Sequence, residues 1–111
     1  MGGFREHSIS GVITAIGCCM MLIGFEITDF SQPRASMQTP GIPDLYLQHT
    51  AKRFRCWVEV KRKGGRLRPS QVAWMQIETG SGGYAIVADS VESFVFGLKY
   101  CGFPVTTDGT P

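Results

Sequence analysis

A chain of 111 residues and 12.2 kDa has room for one domain and one hydrophobic core, and none for a separate cofactor-binding domain. Hydrophobic residues at 43% exclude a disordered chain, 14 glycines without a three-residue period exclude a collagen-like one, and no heptads recur. Eleven Lys+Arg against nine Asp+Glu leave a net charge of +2, which by itself does not mark a nucleic-acid binder.

The first predicted element is a helix over residues 5–22, where Ile9, Val12, Ile13, Ile16 and Met20 fall at helical spacing and share one face. Gly11 and Gly17 weaken it by about 1 kcal/mol each relative to Ala, so tertiary packing must hold it. The apolar run over residues 12–25 falls short of the ~20 residues that span a bilayer. Arg5 and Glu6 make a weak signal-peptide flank, and no small-residue cleavage site follows. A buried helix in a soluble, cytoplasmic protein is the expectation. Gly24 reads as the helix stop, and residues 25–30 alternate like a strand.

Residues 31–42 are rich in Pro, Ser, Thr and Gly and predict a loop. A second strand follows over 44–49, a polar turn over 50–53 and a third strand over 54–61. Residues 63–66 form a basic, glycine-containing loop that suggests a mobile segment able to close on a polyanion. Pro69 suits the first position of a helix running to Thr79 and stopped by Gly80. The nearly continuous apolar run 84–88 predicts an interior strand. Asp89 or Ser90 can cap a last helix over 91–100, and residues 104–111 read as a loose tail beyond a domain of residues 1–103. The order αβββαβα implies an α/β fold of α+β type. Its mixed four-stranded sheet is flanked by helices, with an antiparallel meander and then a parallel crossover.

Cys18, Cys19, Cys56 and Cys101 contain no C-x-x-C pair, and His7 and His49 lie far from them in sequence. That spacing does not suit zinc, and predicts four reduced thiols, mostly buried. The third strand is more informative. Alternation puts Trp57, Glu59 and Lys61 on one side and Val58 and Val60 on the other. Alone, Glu59 and Lys61 would pass for a surface ion pair worth up to about 1 kcal/mol. If the second and third strands pair, however, Asp44 approaches Glu59. Two carboxylates with the Val60 carbonyl then make a hard oxygen site suited to Mg²⁺ or Mn²⁺. Such an ion polarises a phosphoryl oxygen and acidifies water, and a nearby lysine can stabilise the charge that grows in phosphodiester hydrolysis.

Three stretches and one join carry a family resemblance: Thr-Pro-Gly-Ile-Pro-Asp-Leu at 39–45, Trp-Val-Glu-Val-Lys at 57–61, Gly-Arg-Leu-Arg-Pro-Ser-Gln at 65–71, and the strand-to-helix join at 83–92. Over roughly residues 5–98 the chain resembles the virus-type replication-repair nuclease (VRR-NUC) domain, a branch of the PD-(D/E)XK nuclease superfamily. The resemblance implies a restriction-endonuclease-like core. It implies that Asp44 and Glu59 are metal ligands, with Glu6 completing the acidic cluster from the first helix. Lys61 would be the catalytic lysine and Gln71 the active-site glutamine, the alternative being that Gln71 simply helps cap its helix. It further implies a homodimer acting on four-way (Holliday) junctions in DNA repair, in the usual phage or bacterial setting.

The charge map points the same way. Lys52, Arg53, Arg55, Lys61, Arg62, Lys63, Arg66 and Arg68 stand against Glu59 alone, giving residues 52–68 a charge of 8 − 1 = +7. All except Lys61 are candidates to hold DNA phosphates. The rings of Trp57, Trp74 and Tyr84 are expected in the core rather than as base-stacking platforms. On the second helix Val72, Met75 and Thr79 give an apolar stripe that Trp74 and Ile77 widen, facing the sheet or a second subunit. The expected activity is a Mg²⁺- or Mn²⁺-dependent endodeoxyribonuclease without an organic cofactor or a membrane partner, acting on branched DNA. The alternatives are a non-specific nickase or duplex endonuclease of the same superfamily, and a non-catalytic DNA-binding module.

Overall fold

A computed structural model describes residues 8–31 and 41–105. The chain runs α1 (Ile9–Leu22), β1 (Glu26–Asp29), β2 (Leu45–His49), β3 (Phe54–Val60), α2 (Pro69–Gly80), β4 (Tyr84–Ala88) and α3 (Val91–Tyr100). This is the predicted order. Residues 1–7, most of the predicted 31–42 loop and all but the start of the predicted tail lie outside the described residues.

Helix α1 starts where the Ser8 hydroxyl accepts the Gly11 N–H, and it buries Val12, Ile13, Ile16 and Met20. It ends at Ile23, and Gly24 follows at φ +99°, a conformation that L side chains rarely adopt. The sheet order is β1-β2-β3-β4, with β1–β2 and β2–β3 antiparallel and β3–β4 parallel. One face of the sheet presents Leu45, Leu47, Cys56, Val58, Val60, Ile86 and Ala88. They form a single core with α1 and with Phe94 and Leu98 of α3. Burial of each such aliphatic or aromatic side chain contributes about 1.5–3 kcal/mol, which offsets the weak propensity of the glycine-containing α1. On the other face, Gln71 and Met75 of α2 are buried over β3. Strand β3 is therefore covered on both sides, and Glu59 is no surface residue.

Three expectations are corrected. Among the described residues strand β4 is an edge strand, with Val87 47% and Tyr84 39% exposed. Its apolar run reflects helices over its faces, because α3 packs so closely that a Cβ on Gly97 would lie 2.9 Å from Ile86. The inward stripe of α2 holds buried Gln71 and Met75 and half-buried Trp74 and Glu78, whereas Val72 and Thr79 are exposed and Ile77 is 73% exposed. Of the four free cysteines only Cys56 is fully buried, and Cys18 and Cys19 face solvent on α1. Burial pushes the Cys56 thiol well above its usual value, which keeps it protonated and unreactive. Among the described residues, no helix is long and apolar enough to cross a membrane.

Candidate active site

The register of β2 against β3 pairs Leu45 with Val58, so one step further along the ladder Asp44 faces Glu59. Asp44 sits on the residue before β2. Its backbone carbonyl accepts the Phe30 N–H at 2.8 Å, and its Oδ2 accepts the Val60 N–H at 2.8 Å. Those two bonds tie the Asp44 backbone to the residue after β1 and its carboxylate to the end of β3. The turn leading into it is held just as closely. Gly41 has φ +86°, and a Cβ there would run into the Ser70 carbonyl in the first turn of α2.

Glu59 is 5% exposed. Its Oε2 accepts the Gln71 Nε2–H at 2.8 Å and lies 3.4 Å from the Lys61 Nζ. Gln71 is fixed from its other end, since its Oε1 accepts the Arg68 N–H at 2.8 Å. A backbone N–H and an ionised carboxylate are partners of opposite kinds, so this amide has one satisfying orientation. Gln71 therefore makes both contacts at once. It caps α2 and it reaches the acidic pair.

Electrostatics show what the pair lacks. Burial raises the Asp44 pKa, against the Val60 N–H and Lys61, which lower it; Asp29 adds a further raising effect. Burial likewise raises that of Glu59, and the neighbouring Asp44 charge adds to it, more than Lys61 and Gln71 offset. Glu59 Oε1 is buried and has no hydrogen-bond partner among the described residues. A buried carboxylate oxygen left unsatisfied is costly, and it is the donor a hard cation would take up. Asp44, Glu59 and the Val60 backbone thus fit a divalent oxygen-loving ion. Glu6 lies outside the described residues.

The seven predicted phosphate contacts separate. Arg62, Lys63, Arg66 and Arg68 are exposed in the segment that follows β3, beside Lys61. A turn closed by Gly65 N–H to the Arg62 carbonyl at 2.7 Å shapes it. Arg62 and Lys63 line a cleft of about 820 Å³ together with Ser8, Val60, Lys61 and Asp89. Lys52 and Arg53 are exposed in the β2–β3 turn, about 25 Å away along the strand at ~3.3 Å per residue. Arg55 is engaged elsewhere, with Nε on Glu78 Oε2 at 3.0 Å and Nη2 on the Ser81 carbonyl at 3.1 Å. Linear charge counting missed Glu78, which lies 23 residues away. Trp57 stands at the centre of an aromatic group, 4.5 Å from Tyr46, 5.5 Å from Trp74 and 5.7 Å from Phe30 between ring centroids. Its indole N–H is buried and has no acceptor among the described residues.

A mixed four-stranded sheet with three helices, α+β in class, brings an aspartate before its second strand against a Glu-x-Lys at the end of its third. The family described as VRR-NUC domain matches residues 33–92, and the chain belongs to it. VRR-NUC is a nuclease-type domain. A solved structure described as a VRR_NUC domain is similar in fold, with a TM-score of 0.66 and 20% identity. The similarity covers 86% of this chain and 97% of that one. No curated protein is similar enough to match.

Proposed function

We propose that this chain is a Mg²⁺- or Mn²⁺-dependent endodeoxyribonuclease that hydrolyses phosphodiester bonds in branched DNA, working as a homodimer on four-way junctions. The unsatisfied Glu59 Oε1, buried within an acidic pair and beside Lys61, carries the reading. Asp44 and Glu59, with the Val60 carbonyl, would hold the ion. When bound, such an ion polarises a phosphoryl oxygen and stabilises the charge that develops there. Lys61 keeps its ammonium within reach of Glu59, where it can orient the attacking water or meet developing charge. Gln71 holds Glu59 Oε2 so that Oε1 remains available. The exposed cations after β3 supply backbone contacts that position a duplex without reading its sequence.

Support for junction preference and pairing comes from the family resemblance together with one feature of the surface. Residues 8–25 contain no charged side chain, and Met21 and Leu22 of α1 are 61% and 85% exposed. A two-fold pair would set two such sites on two strands of one junction. A solution mass of twice 12.2 kDa is the expected result.

The test is cleavage of a labelled four-way junction and a matched linear duplex with Mg²⁺ or Mn²⁺. Wild type cuts the junction preferentially, and Lys61→Ala lowers turnover by about 10²–10³-fold, the usual cost of removing one charge-stabilising group. Asp44→Ala loses cleavage and weakens Mn²⁺ binding measured by calorimetry. Wild-type protein that binds DNA and cuts none would make this a DNA-binding module. Equal cutting of both substrates would reduce it to a duplex endonuclease or nickase. Unchanged turnover in Asp44→Ala would remove the metal-site assignment.

A further inference from the structure

Helix α2 and strand β3 are joined at three levels. Arg55 meets Glu78 at 3.0 Å, Trp57 meets Trp74 edge-on at 5.5 Å between ring centroids, and Glu59 meets Gln71 at 2.8 Å. The strand residues are spaced by two and so share a face, while 71, 74 and 78 are spaced by three and four and share a helical stripe. The lengths agree. Seven helical residues rise about 10.5 Å at ~1.5 Å each, and four strand residues rise about 13 Å at ~3.3 Å each. The helix therefore runs back along the strand, and its N-terminal rung is the one inside the active site.

We infer that Arg55 is a positioning residue for the active site, acting through Glu78 and the Trp57–Trp74 contact to hold Gln71 in reach of Glu59. Arg55 is suited to this because its planar fork engages two partners at once, the Glu78 carboxylate and the Ser81 carbonyl just past the C-terminal end of α2. That fixes the helix both along its axis and about it. Trp57 and Trp74 are rigid bodies that transmit the position. Gln71 has no slack to absorb a shift, because its Oε1 is already bound to the Arg68 N–H. A helix displaced at Ser81 thus loosens the amide at Glu59. Gly83 belongs to the same device. A Cβ there would collide with the Glu78 carboxylate, which Arg55 prevents from turning away. The inference removes Arg55 from the phosphate contacts and rests on the nuclease reading for its catalytic consequence.

The experiment compares Arg55→Ala, Arg55→Lys and Gly83→Ala with wild type in three measurements. These are kcat on the junction, the salt dependence of DNA affinity, and the side-chain amide resonance of Gln71, assigned by its loss in Gln71→Ala. Variants are used at temperatures where circular dichroism shows them folded. Arg55→Ala and Gly83→Ala are expected to move the Gln71 resonance and lower kcat about 10–100-fold, as loss of an outer hydrogen-bonded support does. Arg55→Lys restores part of the rate. The slope of log affinity against log salt stays unchanged, and Arg55→Ala adds nothing in a Gln71→Ala background. A salt slope smaller by about 0.9 with kcat intact would make Arg55 a phosphate contact and overturn the inference. Additive losses of Arg55→Ala and Gln71→Ala would overturn it too. If wild type cuts no DNA, the nuclease reading fails, and the Gln71 resonance alone decides: a shift in Arg55→Ala upholds the positioning, an unmoved one ends it.

Discussion

Glu59→Gln is expected to lower DNA cleavage by about 10²–10³-fold while raising the thermal midpoint of the metal-free protein. The two effects share one cause. The site holds two carboxylates together under partial burial, and both have pKa values raised, first by that burial and then, for Glu59, by Asp44. A raised carboxylate pKa means that the folded protein binds more protons than the unfolded chain over the interval between the two values. Stability then falls as pH rises through that interval, from the ordinary carboxylate range up to the raised values. Above that interval the metal-free fold carries the full penalty. A glutamine keeps the shape and can still accept from Gln71, but it removes one of the two charges. Loss of the Lys61 partner costs little by comparison, since that side chain keeps 21% exposure and can turn to water. Divalent ion should reverse the ranking. Wild type gains about 2.7 kcal/mol at a free ion concentration of one hundred times Kd. Glu59→Gln gains far less. Thermal melts at pH 5 and 7.5, with and without Mn²⁺, check both signs. A midpoint that drops in Glu59→Gln without metal would show that Glu59 is a structural ion-pair member and not a charge kept for a cation.

The legibility of this site follows from the kind of information each residue needed. Asp44, Glu59 and Lys61 could be placed from sequence because strand alternation and an antiparallel register are short-range rules, and 44 falls opposite 59 once 45 pairs with 58. Gln71 could be placed near them but not resolved between a cap and a site residue, because an amide has a donor and an acceptor and the protein uses both. Arg55 was unreadable. Its charge resembles that of Arg62, and only the packing of α2 brings Glu78 to it. The same packing explains the misjudged face of α2. Hydrophobicity favoured Val72 and Ile77, whereas Gln71 and Glu78 are turned inward because partners wait for them on β3. For β4 the composition reported covered faces correctly and said nothing about lateral neighbours, which is why an edge strand looked like an interior one.

Gly41→Ala should unfold the protein more readily than any other single methyl added at the described glycines, and should impair the site before it unfolds the chain. Two costs coincide there. At φ +86° an alanine is held in a conformation that costs about 1–3 kcal/mol. The new Cβ would also meet the Ser70 carbonyl, which is backbone in the first turn of α2 and cannot rotate aside. Gly24 at φ +99° shares the first cost, but its Cβ would meet only the His49 ring at 2.9 Å, and Gly64 and Gly82 have open space. At Gly41 relief requires α2 to retreat, and Gln71 is the next residue after Ser70. A midpoint lowered by about 10 °C or more is the expected result, since each kcal/mol moves a domain of this size by roughly 4–8 °C. Cleavage at temperatures where the variant stays folded should fall as well, with the Gln71 amide resonance displaced. Normal turnover in a merely less stable Gly41→Ala protein would mean that the glycine serves the turn alone. The Gly-Ile-Pro-Asp run would then present Asp44 without also seating the helix that steadies Glu59.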